Sequence, residues 1–129
     1  MAICYLDSSI AVGALLGDHA CAGAVRSIRP ADRLFSSPLL EAEVLAALRR
    51  ERVALSLARR LFAAVSFVTP TRSVRPEIEA VLSAGYVRGA DAWHLATALY
   101  LAGNTRELRF ITGDARQRTV AELLGFETS

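Results

Sequence analysis

The sequence predicts an α/β fold: a three-layer α/β/α domain with a short central parallel sheet. Three observations predict it. Short apolar runs of β character alternate with helical stretches along the whole chain, Gly, Pro or a helix-capping residue punctuates the boundaries, and the apolar residues are chiefly Ala, Leu, Val and Ile. Strands separated by helices need right-handed crossovers, which make the strands parallel and cover both faces of their sheet. With 129 residues, 53% of them hydrophobic, the chain is expected to form one domain over 1–129 with its own core and no disulfides. Aromatic residues make up only 7%, so that core is expected to be aliphatic and free of aromatic stacks.

Element by element, residues 3–6 (Ile-Cys-Tyr-Leu) read as a strand ended by Asp7-Ser8-Ser9, and 10–16 as a helix stopped by Gly17. A second small helix covers 20–29 up to Pro30, and 34–36 is a short strand. Ser37-Pro38 is a good helix start because proline at the first helical position lacks only an amide that has no partner there, and the helix runs to about 50. A further helix covers about 54–64, and Val65 to Thr69 is a strand that Pro70 ends. Past Pro76 a helix reaches Ala84, and 90–102 is a helix apolar on nearly every side, as an interior helix is. Residues 108–112 form a strand, Gly113-Asp114 a turn, 115–124 a helix closed by Gly125, and Phe126 onward a short edge strand.

Composition excludes several chemistries. All fifteen basic residues are arginine, so no phosphate-loop, Schiff-base or other catalytic lysine exists. Cys4 and Cys21 make neither a CxxC pair nor a disulfide framework, and His19 and His94 lack zinc-finger spacing. Asp7 interrupts the first apolar run before it resembles a signal peptide, and no stretch approaches the ~20 apolar residues of a membrane span. An intracellular, cytoplasmic protein without a membrane segment is expected.

The acids carry the functional signal. In an open parallel sheet, sites form beyond the carboxyl ends of strands, and Asp7 and Asp114 both fall there. Either alone is explained as a helix N-cap, and Asp91, in the first turn of its helix, is explained by the helix dipole. Glu41 and Glu43 share a helix with Leu39, Leu40, Ala42, Val44 and Leu45, about 200° apart on the wheel, so one faces inward and periodicity does not say which. Gathered in one place, such carboxylates need a cation, because each pair at ~5 Å repels by roughly 3 kcal/mol at an effective dielectric near 20. Hard oxygen ligands select Mg²⁺ or Mn²⁺, and such ions serve phosphodiester hydrolysis. With four acids drawn into one site, fifteen positive charges face nine negative ones elsewhere, a surface suited to a polyanionic substrate.

Tyr5-Leu6-Asp7-Ser8-Ser9, the stretch Glu43 to Arg50, the stretch Arg88 to Ala98 with Asp91 followed by His-Leu-Ala-Thr-Ala from position 94, and Thr112-Gly113-Asp114 resemble, in order and spacing, PIN-domain proteins of the VapC toxin family. The resemblance spans the chain. It implies a PIN fold and a Mg²⁺- or Mn²⁺-dependent endoribonuclease, with Asp7, Glu43, Asp91 and Asp114 as the catalytic, metal-holding acids, and so selects Glu43 over Glu41 by analogy. It further implies the toxin component of a toxin-antitoxin system, a structured RNA substrate such as tRNA or rRNA, a VapB antitoxin partner and a homodimer. Many relatives carry another acid near the fourth position where this chain has Thr112, so one ion and two both remain compatible.

Ser8, Thr112 and Arg88 are candidates to support the acids, Ser8 and Thr112 by hydrogen bonding and Arg88 by pairing with the cluster or meeting a phosphate. His94 reads as a hydrogen-bonded packing residue that contacts a carboxylate or substrate at most, and Trp93 and Tyr5 as core. The competing function is a catalytically silent PIN-like module that binds RNA or protein. A phospho-acceptor domain is set aside because the lysine that chemistry relies on is absent.

Overall fold

The computed structural model describes residues 2–30 and 32–128. Strands β1 (Ile3–Leu6), β2 (Arg33–Ser36), β3 (Ser66–Phe67), β4 (Leu108–Ile111) and β5 (Glu127–Thr128) form one sheet in the order β3-β2-β1-β4-β5. Every pairing in it is parallel. The crossovers contain α1 (Ser8–Leu15) and α2 (His19–Arg26), then α3 (Leu39–Arg50) and α4 (Arg59–Ala64), then α5 (Arg75–Ala84) and α6 (Gly89–Leu101), and last α7 (Ala115–Leu123). The three-layer α/β/α expectation holds.

β1 is central because its alternate side chains feed both layers. Tyr5 joins Phe110 of β4 and residues of α5, α6 and α7 in one core cluster. Cys4 and Leu6 point the other way and pack with Ile111 and with α1 and α3. The core departs from the sequence reading in one respect. Tyr5 and Phe110 are fully buried and stacked, ring centroids 5.5 Å apart and nearly parallel, with Phe126 5.9 Å beyond. Few aromatics suffice for a stack when two of them occupy matched positions on adjacent strands, and Tyr5 is in register with Phe110.

The helix expected over 54–64 is divided into a 3₁₀ turn, Leu55–Ala58, and α4. Leu55 and Leu57 remain about half exposed, so that segment has little apolar burial with which to stabilise a regular α-helix. β3 shrinks to two residues, although the Val68 amide still donates to the Ser36 carbonyl at 2.7 Å. α1 and α2 cross so closely that a Cβ on Gly13 would run into the Sγ and Cβ of Cys21. Among the described residues no single helix is long and apolar enough to cross a membrane.

Strand order reverses beside β1, which has β2 on one side and β4 on the other. Crossovers leaving β1 and β4 diverge there, opening a crevice at their carboxyl ends where such sheets bind ligands.

Candidate active site

Asp7 follows β1, and its amide extends the ladder by donating to the Ile111 carbonyl at 3.0 Å. Its side chain is fully buried and caps α1. Oδ2 accepts from the Ser9 amide at 3.2 Å, the Ser9 hydroxyl at 2.5 Å and the Thr112 hydroxyl at 2.9 Å. Oδ1 is equally buried and has no hydrogen-bond partner. Capping accounts for one oxygen and leaves the other as a desolvated acceptor, a costly arrangement unless something positive meets it.

Asp114 follows β4 in the same way, capping α7 by accepting the Gln117 amide at 2.8 Å, but it is exposed. The corners after β1 and β4 are stitched together. Ser9 Oγ accepts the Gly113 amide at 3.0 Å, and Thr112 Oγ1 accepts the Asp114 amide at 3.1 Å while bonding to Asp7. Buried Gln117 adds a tie to α6 by donating to the Asp91 carbonyl at 3.3 Å.

Asp91 stands in the first turn of α6. Burial first, then the charges of Asp7, Asp114 and Glu43, raise its carboxyl above the ordinary aspartate range, with His94 offsetting part of the effect. Three acids from three other segments therefore bear on Asp91. Among the described residues no three His, Cys, Asp or Glu side chains are gathered closely enough to grip an ion as they stand.

Glu43 faces α6 and is partly buried, while Glu41 on the same helix is exposed, which answers the question periodicity left open. Glu43 Oε1 lies 2.6 Å from Nε2 of fully buried His94, whose Nδ1 lies 2.9 Å from the Tyr5 hydroxyl. An ionised carboxylate only accepts, so Nε2 donates to Glu43, and in the neutral ring Nδ1 accepts the Tyr5 O–H. Burial pushes the Tyr5 hydroxyl far above its ordinary pKa, keeping it a proton donor. One chain of hydrogen bonds thus runs from the middle of β1 through α6 to Glu43 on α3.

The three candidate supporting residues separate. Thr112 touches Asp7 directly. Ser8 is buried in the first turn of α1, and the hydroxyl that reaches Asp7 belongs to Ser9, because an N-cap aspartate bonds residues two or three positions on. Arg88 makes no ion pair among the described residues and lines, with Asp91, Asp114, Ala115 and Arg116, a polar mouth of about 480 Å³. A larger and more apolar cavity of about 650 Å³, bordered by Trp93, Pro38 and Ile78, is a separate feature. We take the polar mouth as the site because it holds two of the coupled acids. Sequence reasoning missed Ser9, Gln117 and Arg116 and undervalued His94. The spacing Asp7-x-Ser9 was the available signal for the first, and a buried Gln in a short polar helix gave none for the second.

The family described as PIN domain matches the chain over residues 4–123. The solved structure of VapBC-1 from nontypeable Haemophilus influenzae is similar to it, with a TM-score of 0.67 and 18% sequence identity over 98% of this chain and 96% of that one. No curated protein matches the sequence.

Proposed function

The chain belongs to the PIN-domain family, and from that premise we propose that it is a Mg²⁺- or Mn²⁺-dependent endoribonuclease, a single PIN domain over 1–129 acting as the toxin of a VapBC-type pair. The observation that carries the reading is the buried, unpartnered Oδ1 of Asp7 at the strand-order reversal, and the charges of Asp7, Asp114 and Glu43 all bear on Asp91. A desolvated carboxylate oxygen is a hard donor, and it fits a hard divalent ion. Asp7, Glu43, Asp91 and Asp114 are the residues that would hold one. When bound, such an ion supplies charge neutralisation and Lewis acidity at a phosphodiester.

The remaining work falls to the chain itself. Ser9 and Thr112 fix Asp7 by occupying Oδ2 and leaving Oδ1 free. His94, braced by Tyr5, holds Glu43 toward α6. Arg88 and Arg116 line the mouth beside Asp91 and Asp114, where guanidinium groups can receive the phosphates of an RNA. A structured RNA such as tRNA or rRNA is the substrate, a VapB-type antitoxin the partner, a homodimer the assembly and the cytoplasm the place of action. These follow from the motif resemblance, with a fold shared with VapBC-1 in support.

The test is cleavage of structured RNA by the purified protein in Mg²⁺ or Mn²⁺, with Asp7→Asn as the control. Cutting that requires the ion and is lost by at least a hundredfold in Asp7→Asn is expected. RNA bound but left whole would establish the silent binding module in its place, and full cleavage by Asp7→Asn would remove the acids from the mechanism.

A further inference from the structure

The loop 85–88 joins α5 to α6 at the rim of the polar mouth. Val87 is 3% exposed and anchors the loop in the core, while Tyr86 and Arg88 on either side of it point outward. Tyr86 is 68% exposed, more than any other large hydrophobic side chain among the described residues, so the ring contributes little to the core that packs below it. Its position is nevertheless constrained. A Cβ on Gly85 would meet Val120 Cγ2 at 2.9 Å, so the loop can run this close against α7 only with glycine there. Arg116, one helical turn before Val120, brings its guanidinium to 5.8 Å from the Tyr86 ring centroid. Arg116 also lines the mouth beside Asp91 and Asp114. Neither Arg116 nor Arg88 is paired with a carboxylate among the described residues.

An exposed aromatic ring and a planar cation side by side, fixed by a buried neighbour and with a second free cation two residues away, present flat π-faces and positive charge together. Nucleobases stack on tyrosine rings and guanidinium planes, and phosphates bind guanidinium ends. We propose that Tyr86 and Arg116 form a seat for one unstacked base of the RNA substrate next to the acid mouth, with Arg88 meeting the adjoining phosphate. The inference deepens the nuclease reading and rests on it. It assigns recognition to a base flanking the cut, so the enzyme favours cleavage where the RNA can turn a base out, as in a loop.

The test uses a stem-loop RNA that the wild-type protein cuts in Mn²⁺, with loop nucleotides replaced one at a time by abasic ribose. At one position the replacement is expected to lower wild-type kcat/KM about tenfold, the change that ~1.4 kcal/mol of stacking produces. In Tyr86→Ala the same replacement changes nothing further, in Tyr86→Phe it acts as in wild type, and Arg116→Ala loses part of the dependence. A merely structural role for Tyr86 does not couple to a single base. If abasic replacements affect Tyr86→Ala and wild type equally at every position while cleavage persists, the seat is refuted and the nuclease stands. Uniform loss of activity by Tyr86→Ala on intact and abasic RNA refutes the seat as well. A wild-type protein that cuts no RNA removes the nuclease reading, and the seat with it.

Discussion

Replacing Asp91 with Asn removes the charge the fold holds at the clearest disadvantage, since burial and the charges of Asp7, Asp114 and Glu43 all push its carboxyl upward. A raised acid binds its proton more tightly in the folded chain than in the unfolded one. Between the two pKa values the folded state carries more protons, so stability falls as pH rises; the penalty is absent below ~3.9, the ordinary aspartate value, and complete above the folded value. A nearby like charge costs a carboxylate on the order of 2 kcal/mol at an effective dielectric near 20. Asp91 is only partly buried, so solvent screening reduces this, and an amide forfeits ~0.5 kcal/mol of favourable interaction with the N-terminus of α6. A net gain of about 1 kcal/mol is expected, which raises the melting temperature of a domain this size by about 3–5 °C. Melting curves in EDTA from about pH 4 to pH 8 measure it. The two proteins should melt together at the acid end and separate as pH rises, while Mn²⁺ stabilises the wild type more than the variant. A gap that does not change with pH, or a variant that melts below wild type near pH 7 in EDTA, would refute the electrostatic account of the cluster.

Three further outcomes follow from particular contacts. Tyr5→Phe keeps the ring stack on Phe110 but leaves His94 Nδ1 buried without its donor, so denaturant titration should show a loss of about 1–2 kcal/mol at unchanged m-value, and a loss below ~0.5 kcal/mol would deny that bond. Thr112→Val preserves shape and removes a hydroxyl from Asp7; the Mn²⁺ concentration for half-maximal cleavage should rise about 10- to 100-fold with little change in circular dichroism, and an unchanged value would show that Asp7 needs no such support. Gly13→Ala forces α1 away from Cys21 and should cost about 1–3 kcal/mol in the same titration, with Cys21→Ala recovering only part because the Cys21 Cβ is also in the way.

Strands, crossovers and the parallel sheet were legible because hydrophobic period and turn residues are local signals, and each strand expected from the sequence is present. Asp7 and Asp114 were legible as a pair because parallel topology puts the ends of β1 and β4 side by side. What escaped was set by contacts between residues far apart in the chain. Ser8 and Ser9 are equivalent as composition, and only the geometry of an aspartate cap chooses Ser9. His94 reads as packing until Tyr5 and Glu43, 89 and 51 residues away, are seen on its two nitrogens. The aromatic stack was missed because a count of rings ignores register, and Glu43 was separated from Glu41 by which side of α3 meets α6, a tertiary fact.

The sheet order also governs when the acids can assemble. β1 is made early but pairs with β4 more than a hundred residues later, and the Asp7 amide itself is held by Ile111. A nascent chain therefore holds Asp7 with neither Thr112 nor Asp114 until β4 has left the ribosome, and contacts of such long range form slowly. Synthesis is thus accompanied by a built-in delay, during which the growing polypeptide cannot yet bring Asp7 and Asp114 together.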